Sequence, residues 1–482
     1  TFDHGAKSFD LEMALSKKTD VRQMWETIPF PLDFKIYLFN YTNVEEIQKG
    51  ALPIVKEVGP YYFEEWKVKV DLEDHEENDT ITYKKKDMFL FKPELSGPGL
   101  TGEETIMMPH PLILSSLIAT SRNNNAAMLS MVGKAIKAIF DTPTHVFMQV
   151  KPLDILFRGI IINCNRTEFA PKAVCTAFKK EDVFQLEPNS QLRFSFFGKR
   201  NNTVDTHVVT VKRGIKNIMD VGSVVAIDGK PEMKIWRDSC NNYSGTDGTV
   251  FPPFLTEKDR LASFSGDMCR FPWFQKKTSY KGIKTNRYTV NIGDLANDPE
   301  LNCYCDAPNK CPPKGLMDLM KCIKAPMYVS LPHFLDCDPS LLNNVKGLHP
   351  NVDEHSIEID FEPISGTPMV AKQRIQFNIE LMKTDKYDIF KNLPNTIAPM
   401  FWVEEVSIVL YSLRHLEIIL FNTNNQIFPL YNSLDRVKPR LCLKILLPTN
   451  CAPRCYPLHV FGIVAYVLIQ GISYLHTKFH PN

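Results

Sequence analysis

Half of the chain's twelve cysteines fall between Trp236 and Cys322, at Cys240, Cys269, Cys303, Cys305, Cys311 and Cys322. Nothing else in the sequence constrains the fold as strongly. The surrounding text is rich in turn residues (WRDSCNNYSGTDGTVFPPF, LNCYCDAPNKC), so cross-links rather than a continuous apolar core must hold it. Two readings are open. Cys303, Cys305, Cys311 and Cys322 could supply four thiolates to a zinc ion, or the six could form a disulfide framework, for which spacing alone leaves 15 pairings.

Compartment bears on the choice. Asn-x-Ser/Thr sequons stand at Asn40, Asn78, Asn165, Asn201 and Asn242, the last beside Cys240. Sequons matter only in a chain that enters the secretory pathway, where disulfides persist. They favour the framework over zinc.

At 482 residues with 44% hydrophobic content, the chain can bury a large core. Its 56 basic and 55 acidic residues leave a net charge of +1, with none of the basic excess a nucleic-acid binder needs. The 34 prolines against 22 glycines favour short strands and turns over long helices. Thr1–Asp10 is polar and lacks the apolar core of a signal peptide.

Taken in order, residues 12–28 read as a short amphipathic helix. Phe34, Ile36 and Leu38 alternate with polar neighbours as in a strand. Trp66, Val68 and Val70, then Ile81 and Tyr83, bracket the acidic run Asp71–Asp79, predicting a hairpin whose charged tip points into water. That run lacks the ligand spacing and glycine of a calcium loop. From 105 to 140 the period becomes helical. Leu112, Leu114, Leu117 and Ile118 form one apolar run. Met128, Met131, Val132, Ala135, Ile136, Ile139 and Phe140 form another, broken from the first at Asn123–Asn125. A methionine-bearing face packs as core or serves as an adaptable apolar binding surface. Lys134 and Lys137, one turn apart, are solvated charges or partners for a lipid head. Val208, Val209 and Val211 open a second β region. In it Asp228-Gly229 predicts a hairpin turn between Val224–Ile227 and Met233–Trp236. Ile357, Ile359 and Phe361, then Ile375, Phe377, Ile379 and Leu381, give the clearest strand pair.

No G-x-S-x-G, H-E-x-x-H, G-x-x-x-x-G-K-[ST] or G-x-G-x-x-G pattern occurs, so no catalytic constellation, metal site or cofactor site is assigned. His333 reads as a structural histidine. Cys164 and Cys175 are buried thiols or an extra bridge, and Cys337 is an odd thiol. Glu64 and Glu65 are adjacent, on opposite strand faces, and make no acid/base dyad.

Several stretches together resemble the ectodomain of the class B scavenger receptors, and within them an insect sensory-neuron branch. They include DFKIYLFNYTN (33–43), KEVGPYYFEEW (56–66), GPGLTGEE (97–104), FRGIIINCNRTEFAPKAVC (157–175), VKRGIKNIMDVG (211–222), GTDGTVFPPF (245–254), APMYVSLPHFLD (325–336) and GTPMVAKQRIQFNI (366–379). The resemblance implies an α+β, mainly antiparallel β fold: a large β-barrel-like ectodomain with a helical bundle cap and an internal apolar tunnel. It implies the pairs Cys240–Cys303, Cys269–Cys322 and Cys305–Cys311. It places a ligand-facing surface on the helical cap, with Met128, Met131, Val132, Lys134, Ile136 and Lys137 as candidate contacts. It also implies anchoring in the dendritic membrane of olfactory neurons, the ectodomain outside. There the protein would take a long-chain lipid or fatty-acid-derived pheromone from a carrier protein and pass it to an odorant receptor. The alternative is an adhesion or scavenging surface that docks lipoprotein or carrier proteins without an internal ligand.

Residues 12–405 carry the resemblance. Residues 1–11 form an unmatched leader, and the family places a membrane helix just before the match begins. Residues 406–482 form a divergent tail. Its candidate membrane span, Tyr456–His476, has no Asp, Glu, Lys or Arg. Basic residues cluster before that span, at Arg436, Lys438, Arg440, Lys444 and Arg454, which opposes the family's orientation.

Overall fold

The computed structural model describes residues 12–408, apart from 123–125, 182, 257–258, 271, 273, 278–284 and 386. The tail from 409 onward, with the candidate span at 456–476, lies outside the described residues.

Long alternating segments build the scaffold. β1 (Leu32–Tyr41), β2 (Val55–His75) and β3 (Thr80–Phe91) are consecutive antiparallel strands. β4 (Val209–Lys212) and β5 (Val224–Ile227) extend the sheet beyond β3. On the other side follow β6 (Gln275–Lys277), β7 (Asn286–Val290), β8 (Met327–Ser330), β9 (Ile357–Phe361), β10 (Pro368–Leu381) and β11 (Thr396–Ile408). Among the described residues thirteen strands join one antiparallel sheet. Its main path runs β5-β4-β3-β2-β1-β11-β10-β9-β7-β6, with β8 paired to β10. Among the described residues this path does not close on itself.

Register fixes which side chains share a face. Leu38, Ile36 and Phe34 of β1 lie opposite Phe401, Val403 and Glu405 of β11. Phe377, Ile375 and Gln373 of β10 face the same three residues from the other side. Phe34 and Leu32 oppose Phe63 and Glu65 of β2, which in turn oppose Phe91 and Phe89 of β3. All these side chains point to one side, the inner face.

The inner face carries two separate cores. The larger includes Phe34, Ile36, Phe63, Phe89, Phe197, Phe377 and Phe401. The smaller joins Phe251, Leu255, Leu261, Phe274, Tyr288, Val290, Leu331, Leu335, Ile357, Ile359 and Phe361, mainly against β7 and β9.

Three helices form the cap: α2 (Pro111–Arg122), α3 (Ala126–Ile139) and α4 (Phe169–Phe178). Before them comes α1 (Asp20–Glu26), whose N-cap Thr19 accepts from the Arg22 amide. α1 buries Trp25 at one end of the sheet, edge-on to Tyr83, and both rings' polar atoms donate to Asp247. Arg122 closes α2 by bonding Asp318 and the Tyr328 hydroxyl. Among the described residues no helix is long and apolar enough to cross a membrane.

Two local expectations turn out differently. The acidic tip after β2 is only partly in water. Glu76, Glu77 and Asn78 are exposed, but Asp79 is buried against Arg213, and Asp74 pairs with both Arg22 and Arg213. The turn at Asp228-Gly229 forms, with positive φ at both residues, yet Met233–Trp236 does not become its second strand. Asn241 captures that segment instead. Its side-chain oxygen accepts from the Ile235 and Trp236 amides, and its carbonyl accepts from Met233.

Candidate functional site

The disulfide segment is held by bonds joining Cys240–Cys303, Cys269–Cys322 and Cys305–Cys311, and a fourth joins Cys164 to Cys175 within α4. Cys337 is a free thiol, half-buried, which pushes it up to about 12 and leaves it unreactive. Asp267, two residues before Cys269, reaches Arg200 at 3.2 Å. The cross-linked segment thus delivers a charged group to the inner face.

Between the two cores the described residues cover the inner face only in part. β10 and β11 are interior strands, each flanked on both sides, so an exposed side chain there faces space that no described element fills. Ala371, Ile375, Val403, Glu405 and Ser407 are half-buried, and Gln373, in mid-strand, is exposed. They form a strip that changes character along its length. At one end stands an aromatic wall. Phe377 and Phe401 lie 5.0 Å apart, Phe196 and Phe401 4.7 Å, Phe157 and Phe197 5.6 Å, and Phe63 and Phe157 4.5 Å. Ile375 and Val403 follow. At the other end the strip turns polar, with Glu405, Glu65, Lys67, Asp87 and Arg200.

This polar end is a partly buried charge network, with Glu65 buried and Arg200 exposed. The Lys67 ammonium bonds Glu405 and lies 3.5 Å from Glu65 Oε1. Burial, reinforced by Glu405 and Asp87 and opposed by Lys67, pushes the Glu65 carboxyl well above the usual range. Against its own burial, Glu405 is held low by Lys67 and by a hydrogen bond from Glu65. Lys67 is raised: its acidic neighbours, Glu405 first, then Glu65 and Asp87, outweigh the opposing effect of burial. The Arg200 guanidinium lies 5.3 Å from the Phe197 ring and 5.8 Å from Phe89, bridging wall and network. Below them Lys69, lowered to about 8 chiefly by burial, bonds the Trp25 carbonyl and Thr249.

The candidate contacts on α3 do not converge on one surface. Val132 and Ile136 are buried in the larger core, and Met131 is half-buried. Met128, Lys134 and Lys137 are exposed, with Lys137 4.0 Å from Asp388. Of the sequons, Asn78, Asn165 and Asn242 are exposed. Asn40 is half-buried and accepts from the Met107 amide; Asn201 is half-buried and pairs with both backbone groups of Phe89.

The opposite face holds His333. Its Nε2 donates to Glu57 at 2.6 Å, and its Nδ1 accepts from the His349 amide. Trp402 also donates to Glu57, and Arg374 pairs with Glu404. Both ring nitrogens of His333 are thus hydrogen-bonded.

The strip's polar end was not legible as a site in the sequence. Glu65 and Glu405 are 340 positions apart and meet only through the β2-β1-β11 register. One signal did exist. Tyr61, Phe63 and Glu65 alternate inward, and continuing that phase puts Lys67 and Lys69 inside, not Trp66 and Val68.

A CD36 family model matches residues 6–430. The chain is 73% identical over 398 residues to sensory neuron membrane protein 1 of Bombyx mori, covering 82% of this chain and 76% of that protein. It is 72% identical over 399 residues to the protein of the same name from Ostrinia nubilalis, covering 82% and 75%. To that of Manduca sexta it is 69% identical over 397 residues, covering 82% and 76%. Coverage and identity on this scale settle the family: the chain belongs to the CD36 family, the class B scavenger receptors.

Proposed function

We propose that this chain is a membrane-anchored lipid receptor of olfactory neurons, its ectodomain outside the cell, and not an enzyme. It takes fatty-acid-derived ligands from carrier proteins and passes them on to odorant receptors. The observation that carries the reading is the partly covered strip between the two cores. A half-buried Ile375 and Val403 in mid-sheet lose packing energy unless something covers them, and an alkyl chain is the matching cover. Each methylene buried there contributes about 0.8 kcal/mol, so a long chain gains enough to leave a carrier. In this reading the curved sheet wraps the strip into a barrel-like conduit, the aromatic wall lines it, and Met128 and Met131 on α3 lie at the ligand-facing cap.

The test is uptake. The chain, made in a secretory insect-cell host, is titrated with a fluorescent long-chain acetate. Saturable binding, competed by unlabelled fatty-acid derivatives and lost in Val403→Trp, is the expected result. Folded, oxidised protein that takes up no lipid yet docks a carrier protein would replace the conduit with an adhesion surface.

A further inference from the structure

Resting on the conduit reading, we propose that the polar end of the strip is a head-group subsite for a neutral hydroxyl. Glu65 is its recognising group, and a long-chain alcohol is preferred over the carboxylate of equal length.

Three observations combine. First, Glu65 is 2% exposed, and its Oε2 atom meets no N–H or O–H donor among the described residues. A buried acceptor without a donor is costly, on the order of 1–3 kcal/mol, and a ligand hydroxyl would satisfy it. Second, the cations beside it are already matched: Lys67 by Glu405, and Arg200 by Asp267. An incoming carboxylate meets Lys67 and Arg200 already paired, and it brings a second negative charge next to Glu405. An alcohol brings a donor and no charge. Third, access and length agree. Lys67 keeps 32% of its side chain accessible and Glu405 22%, so a head group can reach the network from the strip with that ion pair intact. Phe377–Phe401, Ile375–Val403 and Gln373–Glu405 are successive inward pairs along β10 and β11, leading from the aromatic wall to the acid. A chain laid on that apolar stretch ends at Glu65 and Glu405.

The experiment compares hexadecanol, hexadecanoate and hexadecane as competitors of one fluorescent alkyl probe at pH 7.5. For the unmodified chain, hexadecanol should bind about tenfold more tightly than hexadecanoate and than hexadecane, the value of one good hydrogen bond. Glu65→Leu should remove the hexadecanol advantage and leave hexadecane unchanged. Glu65→Gln keeps an acceptor oxygen and should retain most of the advantage. Glu405→Gln removes the repelling charge and should improve hexadecanoate. Equal binding of alcohol and alkane, preference for the carboxylate, or equal weakening of all three by Glu65→Leu would each overturn the subsite while leaving the conduit intact. Failure of all three to displace the probe would overturn the conduit and the subsite together.

Discussion

His333 and His355 lie face to face, ring centroids 4.3 Å apart and within 8° of parallel. Each accepts a backbone amide at Nδ1, from His349 and Asn351. A second proton on the His355 ring would have to displace the Asn351 amide. Burial first, then His333 and Arg374, lower His355 to about 4, with Glu57 and Glu404 opposing. Burial lowers His110 to about 4 as well.

The sign follows. Below about pH 6.5 the unfolded chain takes up protons that the folded chain refuses, so stability should fall from about pH 6.5 down to about pH 4. Glu57, Glu404 and Asp247, all held low, add a further loss as pH drops through the carboxylate range. Thermal unfolding between pH 7.5 and 4.5 reads the slope. His355→Gln should flatten it; a slope unchanged in both His355→Gln and His110→Gln would assign the acid sensitivity to other groups.

The disulfides should differ in worth by loop length. Cys240–Cys303 spans 63 residues and Cys305–Cys311 spans 6. Loop-closure entropy gives roughly 4 kcal/mol for the first and roughly 2 kcal/mol for the second. Paired serine substitutions, compared by denaturant midpoint, should reproduce that order. The reverse order would mean that native packing around Cys305, which is 1% exposed, outweighs chain entropy.

Glycosylation should stop at three sites. Asn78, Asn165 and Asn242 are exposed, whereas the Asn201 amide is engaged with Phe89 on β3 through both its oxygen and its nitrogen. A sugar on Asn201 Nδ2 would break that pairing, and Asn40 is half-buried against Met107. Mass spectrometry of peptides from folded protein, before and after deglycosylation, should find glycans at 78, 165 and 242. A glycan at 201 in folded protein would refute the structural role given to that amide.

How much of this could be read from residues alone depends on the range of the interaction. The pair β9 and β10 was legible because Ile357–Phe361 and Ile375–Leu381 repeat every second residue. The cap was legible because its apolar spacing switches period at Leu112. Lys67 and Lys69 were not, because alternation names two faces without saying which is inside, and this interior is partly polar. The hairpin expected at 233–236 failed for a local reason: the side chain of Asn241 competes for amides that a strand would need. The Glu65–Glu405 contact requires three strands in register, information that no window of sequence contains.

Gly133 shows the same limit at a single atom, and it yields a sharp test. It sits inside α3, where alanine is ordinarily worth about 1 kcal/mol more than glycine. Here Tyr387 lies against it. A Cβ on Gly133 would stand 1.6 Å from Tyr387 Cε1, and the Gly133 amide donates to the Tyr387 hydroxyl at 2.8 Å. Overpacking of this kind costs about 1–3 kcal/mol, so the ring should win over propensity. Gly133→Ala alone should therefore lower the melting temperature. In a Tyr387→Ala background the clash is gone, and the same change should raise the melting temperature through helix propensity. A Gly133→Ala effect of the same sign in both backgrounds would show that Tyr387 is not what holds this position to glycine.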